Sequence, residues 1–150
     1  MPKARLFCMM ISACLIVSRL SFAQTPNTEV ELRVAAIRAV YPAGRSEHFV
    51  LVASQPAEEG MTALAALQLG TKTRACAGHA CSEIVGRDTV AVHAEPVRVT
   101  DSTAIVVVDS WVRVVSRREG DRSFGNRYKV YLRKTGNTWR VVEVTPQFES

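Results

Sequence analysis

Ala104–Val144 reads AIVVVDSWVRVVSRREGDRSFGNRYKVYLRKTGNTWRVVEV, and its two-residue period decides the fold class. Ala104, Val106, Val108, Ser110, Val112 and Val114 fall on alternate positions, so a long strand presents one face of small side chains. On the next strand Tyr128, Val130 and Leu132 point inward, while Arg127, Lys129, Tyr131 and Arg133 point outward. Thr135-Gly136-Asn137 makes a tight connection to a last strand from Trp139 to Val144. Two adjacent apolar residues there, Val141 and Val142, break the alternation and predict a bulge.

Upstream, Val90, Val92 and Ala94 keep the same period until Pro96, which predicts a break or an edge. Before Thr89 the pattern is helical. Thr28 and Glu31 have capping-box spacing, and Val30, Val34, Ile37 and Tyr41 form one stripe that Pro42 and Gly44 end. His48–Ser54 (HFVLVAS) is a short β-branched run. Pro56, Glu58 and Glu59 suit a second helix start, Met61, Leu64 and Leu67 line one face of it, and Gly70 suits its end. Gly60 weakens that helix by about 1 kcal/mol relative to alanine. The reading is α-β-α followed by a four-stranded meander. It predicts an α+β fold, N-terminal helices packed on a curved antiparallel sheet of four to five strands, in a single domain over residues 24–150.

Residues 1–23 read as a secretory signal peptide. Lys3 and Arg5 precede a twelve-residue apolar run, Leu6–Val17, and Ser21-Phe22-Ala23 places small residues before a cleavage site at Gln24. The run is shorter than the roughly 20 residues a transmembrane helix needs, so no span is expected after cleavage. Ile11-Ser12-Ala13-Cys14 also resembles a lipobox, which would make Cys14 an acylation site and the product an envelope lipoprotein.

With 47% hydrophobic and 22% charged residues in 150, the chain is neither a disordered polymer nor too small for a core. Its formal charge of +5 suggests a polyanionic partner, but the signal segment holds three of the basic residues and no acid. The exported chain carries 16 basic and 14 acidic residues, a net +2. The charge is also unevenly placed. Residues 113–140 hold nine basic residues against Glu119 and Asp121, a local +7, which leaves the rest of the exported chain at −5. Arg127, Lys129, Tyr131 and Arg133, with Trp111 and Arg113 on the neighbouring strand, form a basic-aromatic face. Such faces can bind nucleic acid, but export favours an anionic ligand, a polysaccharide, a lipid headgroup or an acidic protein. A charged outer face also keeps a sheet soluble without any ligand.

Cys76 and Cys81 survive export, and an oxidising compartment favours their pairing as a disulfide worth about 2 kcal/mol. His79 between them would complete three soft ligands for a metal, but no fourth ligand has recognisable spacing. His93, Glu95 and Asp109 lie on or near central strands. His93 and Asp109 are the candidates for general acid–base work if they face one pocket. His93 follows Val92 and so falls opposite the apolar row, where a solvated polar residue needs no role. No nucleophile elbow, phosphate loop, zinc-protease motif or dinucleotide fingerprint occurs in the sequence, and no cofactor is expected.

The ending Tyr128-Lys129-Val130-Tyr131-Leu132 with Gly136-Asn137-Thr138-Trp139-Arg140-Val141, behind a capped N-terminal helix, resembles the nuclear transport factor 2-like superfamily. The resemblance covers roughly the last 60 residues and the first helix. It implies a cone-like sheet with a pocket between helix and sheet; a cystatin-like helix on a sheet is the neighbouring alternative. Members of the superfamily include isomerases, dehydratases, binders and assembly domains, so an activity does not follow from the fold. The sequence predicts an exported binding or interaction module, with a small isomerase, dehydratase or hydrolase as the alternative.

Overall fold

The computed structural model describes residues 25–42, 49–75, 89–116 and 120–147, with backbone alone for residues 74–75, 113–116 and 120–124. Two helices pack on one face of an open sheet. Helix α1 (Pro26–Val40) leads into β1 (Phe49–Ala53), a 3₁₀ turn (Pro56–Glu58), α2 (Glu59–Leu69) and β2 (Lys72–Ala75). The remaining strands are β3 (Val90–Ala94), β4 (Arg98–Thr100), β5 (Thr103–Ser116), β6 (Gly120–Thr135) and β7 (Thr138–Gln147). This is the expected α+β class.

The sheet is larger than expected and mixed rather than antiparallel. Its seven strands run β2-β1-β3-β5-β6-β7, with β4 also paired to β5. β1 is parallel to both β2 and β3. Parallel neighbours need a crossover, and α2 provides it between β1 and β2. β2 (KTRA) carries too little apolar patterning to be read as a strand from sequence. Pro96 marks the predicted break, which separates β3 from the three-residue β4. The hairpin turn at Gly136 has φ +61°, the sign required at the first central position of a II′ turn. The predicted bulge is present too: the β6–β7 register shifts between Tyr131 and Leu132, and Val142 is left without a partner.

Helix α1 starts at Pro26 with Thr25 as its N-cap, so Thr28 lies inside the first turn and no capping box forms. Proline at the first turn has no amide hydrogen to leave unpaired, which fixes the start earlier than Thr28. Val30, Val34 and Ile37 are buried as the stripe predicts, joined by Leu32 and Ala36. For α2 the expected face is wrong. Thr62, Ala65 and Ala66 are buried, Met61 only partly, and Leu64 and Leu67 are 48% and 79% exposed. Small side chains let the helix lie close on its neighbours, and that rotation turns both leucines outward.

The core between helices and sheet joins these helical residues to Leu51, Val92, Val106, Val108, Val130 and Leu132. One charge lies inside it. Arg33, 2% exposed, donates to the Ala94 carbonyl at 3.0 Å and to Glu29 Oε1 at 2.7 and 3.2 Å. A buried guanidinium must use its donors, and Glu29 one turn earlier neutralises it. The hollow beside Arg33 and Ile37 measures about 10 Å³, no more than a single water requires. Here between helix and sheet, where the resemblance implies a pocket, the described residues leave room for no more than a water.

Candidate functional site

The outer face of the sheet, opposite the helices, gathers the polar residues. Register does most of this: His93 on β3 pairs with Asp109 on β5, which pairs with Arg127 on β6, which pairs with Gln147 on β7. Direct cross-strand partners share a face, so these side chains form one row. The 3₁₀ turn after β1 then folds over the end of the row and brings in Ser54 and Glu58. His93 is therefore on the predicted side of its strand but not solvated; its side chain is 12% exposed, beneath Glu58 at 6%.

Glu58 Oε2 is the acceptor at the centre of this cluster. It takes the Ser54 hydroxyl at 3.0 Å, the Ser54 amide at 3.3 Å and His93 Nε2–H at 3.1 Å. On the other side of the ring, Asp109 Oδ2 is 4.0 Å from Nδ1, an ion-pair distance rather than a hydrogen bond. Asp109 Oδ1 lies 3.4 Å from Arg127 Nη1, and Arg127 Nη2 also donates to Glu95. The result is a chain of alternating charge, Glu58–His93–Asp109–Arg127–Glu95.

Burial alone would push the His93 imidazole below its ordinary value of 6.5, but the Asp109 and Glu58 carboxylates, one at each nitrogen, outweigh burial and hold it above. Burial would likewise raise the Glu58 carboxyl above 4.5, but hydrogen bonds from His93 and Ser54, with the charges of His93 and Arg33, bring it below. The pair favours carboxylate and imidazolium together.

This bonding decides what Ser54 can do. Its oxygen is 3.1 Å from His93 Nε2, and with Asp109 behind the ring the three resemble a serine nucleophile, a base and an orienter. The proton inventory runs the other way. The Ser54 hydroxyl donates to Glu58, and a protonated Nε2 donates toward both oxygens. With the serine proton directed at the Glu58 carboxylate and not at the imidazole, the cluster ties β1, the 3₁₀ turn and β3 together.

Two hollows open on the same face around Arg127. The larger, about 680 Å³, lies where β7 stops and is lined by Asp109, Trp111, Gly125, Arg127 and Gln147 among others. His93 stands behind Asp109 and outside that lining. The smaller, about 310 Å³, lies at the Pro96 break over Ile105 and Val107, between Arg98 and Lys129.

The outward alternation of Arg127, Lys129, Tyr131 and Arg133 is as the sequence predicts, for Val130 and Leu132 between them are buried. Arg127 is not a free cation, being held by Glu95 and Asp109. Trp111 pairs with Gly125, two residues along from Arg127, so the structure brings Trp111 to Arg127 only around the larger hollow. Arg113 pairs with Ser123 farther along, and its side chain lies outside the described residues. Cys76, His79 and Cys81, with Cys14 and the signal segment, also lie outside them. Among the described residues no cluster of three or more His, Cys, Asp or Glu could hold a metal ion, and no helix is long and apolar enough to cross a membrane.

Sequence reasoning missed Ser54, Glu58, Arg33 and Arg98 as site or support residues. Only Arg33 left a signal: a charge within an apolar stripe, four residues after Glu29. Comparison with known proteins adds no relative to this picture: no protein-family model, no curated protein and no solved structure matches the chain.

Proposed function

We propose that the protein is an exported binding module, without catalytic activity, that takes an anionic partner on the outer face of its sheet. One observation carries this reading. Arg98, Lys129 and Arg133 stand on that face with no carboxylate at ion-pair distance among the described residues, whereas the neighbouring Arg127 is held by two. Cations left unpaired beside concave surface are available to a ligand at little cost of desolvation. The nuclear transport factor 2-like resemblance enters as part of the same proposal, with the ligand on the outer face because the hollow between helix and sheet beside Arg33 holds no more than a water.

The near-triad of Ser54, His93 and Asp109 is what favours a hydrolase instead, and its hydrogen bonding argues against that reading. Export rests on residues 1–23. An N-terminus at Gln24, read by mass spectrometry from the envelope fraction, supports it, and an acylated Cys14 would replace it with a lipid-anchored protein.

The binding test uses a sulfated polysaccharide beside neutral dextran. Binding to the sulfated polymer should fall steeply as salt rises from about 0.05 to 0.5 M, across which screening shortens from roughly 14 to 4 Å. Lys129→Glu with Arg133→Glu should abolish it. Equal binding to neutral dextran, or binding indifferent to salt, would sink the proposal.

A further inference from the structure

We infer that the 310 Å³ hollow at the Pro96 break is a site for a small amphipathic anion, one anionic group on a short aliphatic body. The inference rests on the reading of the outer face as an anion-binding surface and narrows it to one place and one class of ligand.

The site is built by a break in the sheet. Both β3 and β4 pair with β5, through Ala94↔Val108 and Arg98↔Ile105, and Glu95-Pro96-Val97 interrupts them. Pro96 has no amide hydrogen for the ladder, so the strand direction changes beside it. The space created has an aliphatic floor, Ile105 and Val107, both only partly buried. Two cations stand at that floor from opposite sides. Arg98 is the cross-strand partner of Ile105, and Lys129 that of Val107. The carboxylate in the lining, Glu95, is engaged by Arg127, which in turn also meets Asp109. The local surplus is therefore positive and belongs to Arg98 and Lys129.

Each feature restricts the ligand. A bare inorganic anion would satisfy the cations and leave the floor wet. A neutral hydrocarbon would cover the floor and leave the cations unanswered. A neutral sugar would want an aromatic platform, but neither aromatic of this face enters the lining: Trp111 lines the other hollow, and Tyr131, the cross-strand partner of Ile105, stays outside it. An amphipathic anion meets all three demands: its head takes the Arg98 fork and the Lys129 ammonium, and its body lies on Ile105 and Val107. At about 30 Å³ per displaced water, the hollow has room for such a body.

The test is a titration of the purified protein, with methyl-labelled isoleucine and valine, followed by NMR. Butyl phosphate, hexyl phosphate and hexanoate are the probes; hexanol, inorganic phosphate and phosphatidylglycerol vesicles are the comparisons. Saturable shifts at Ile105 and Val107 with hexyl phosphate or hexanoate support the site. Each added methylene should strengthen binding about two- to fourfold. Arg98→Gln and Lys129→Gln should each weaken it about tenfold. Hexanol or inorganic phosphate binding as tightly as hexyl phosphate would overturn the proposal, as would a lack of saturation at the floor. Vesicle binding that leaves Ile105 and Val107 unmoved removes this site and keeps the anionic-face reading. Loss of both vesicle and small-probe binding removes both.

Discussion

Replacing His93 with leucine tests the charge chain at its centre. The substitution leaves the Glu58 carboxylate, 6% exposed, with Ser54 alone. Breaking a fully buried ion pair costs about 3–5 kcal/mol, and losing a charge-assisted hydrogen bond about 1.5–3. Glu58 keeps both Ser54 donors and lies close beneath the surface, where water softens its field, so the lower end applies: about 2 kcal/mol at pH 6. The pH dependence follows from the directions of the two shifts. His93 is held above 6.5, so its stabilisation is complete below that value and is lost as pH rises through its raised value. Glu58 is held below 4.5, so its stabilisation is complete above that value and is lost as pH falls through its lowered value. Between pH 4.5 and 6.5 both contributions are present. Urea unfolding followed by tryptophan fluorescence should therefore show His93→Leu costing about 2 kcal/mol at pH 6 and less as pH rises through the raised His93 value, down to the roughly 1 kcal/mol of a neutral hydrogen bond. In a double-mutant cycle with Glu58→Leu, the coupling should be large at pH 6 and shrink over the same rise in pH. A loss that does not change as pH rises from 6, however far, or additivity at pH 6, would refute an imidazolium–carboxylate pair.

Three further outcomes are expected. Ser54→Ala should cost about 1 kcal/mol in the same unfolding assay, and a fluorophosphonate should leave Ser54 unlabelled by intact mass, since its hydroxyl serves Glu58. Leu132→Ala, at 1% exposure, should cost about 3 kcal/mol, whereas Leu67→Ala, at 79%, should stay within about 0.5. Gly136→Ala should cost about 1 kcal/mol, because φ +61° strains an L side chain although nothing crowds it there.

Much of the fold was legible because alternation is a local property. Val106, Val108, Val130 and Leu132 reveal their burial through their neighbours alone, and Val141-Val142 reveal the bulge. α2 misleads a reading by hydropathy because its buried face is alanine and threonine; hydropathy favours leucine, but close approach of backbones favours small residues. β2 was missed since it is held by parallel pairing to β1, which leaves no trace in KTRA. The candidate site divides the same way. His93 and Asp109 were named from their strands, and the register joins them. Glu58 reads locally as a helix-start acid, and nothing local shows that the 3₁₀ turn carries it onto β3, 35 residues away in sequence.

That separation bears on how the molecule assembles. β5 and β6 form a hairpin whose strands adjoin in sequence, so Asp109 and Arg127 meet with little loop to close. His93 reaches Glu58 across 35 residues, and Arg33 reaches Ala94 across 61. Loop-closure entropy makes these contacts costlier to form early than those of the hairpin. A contact made after the transition state acts on the unfolding rate alone. The expected outcome for the Glu58–His93 bond is therefore a brake on opening: His93→Leu should speed unfolding at pH 6 and leave the refolding rate unchanged in stopped-flow measurements, and slowed refolding would place the bond in the transition state instead.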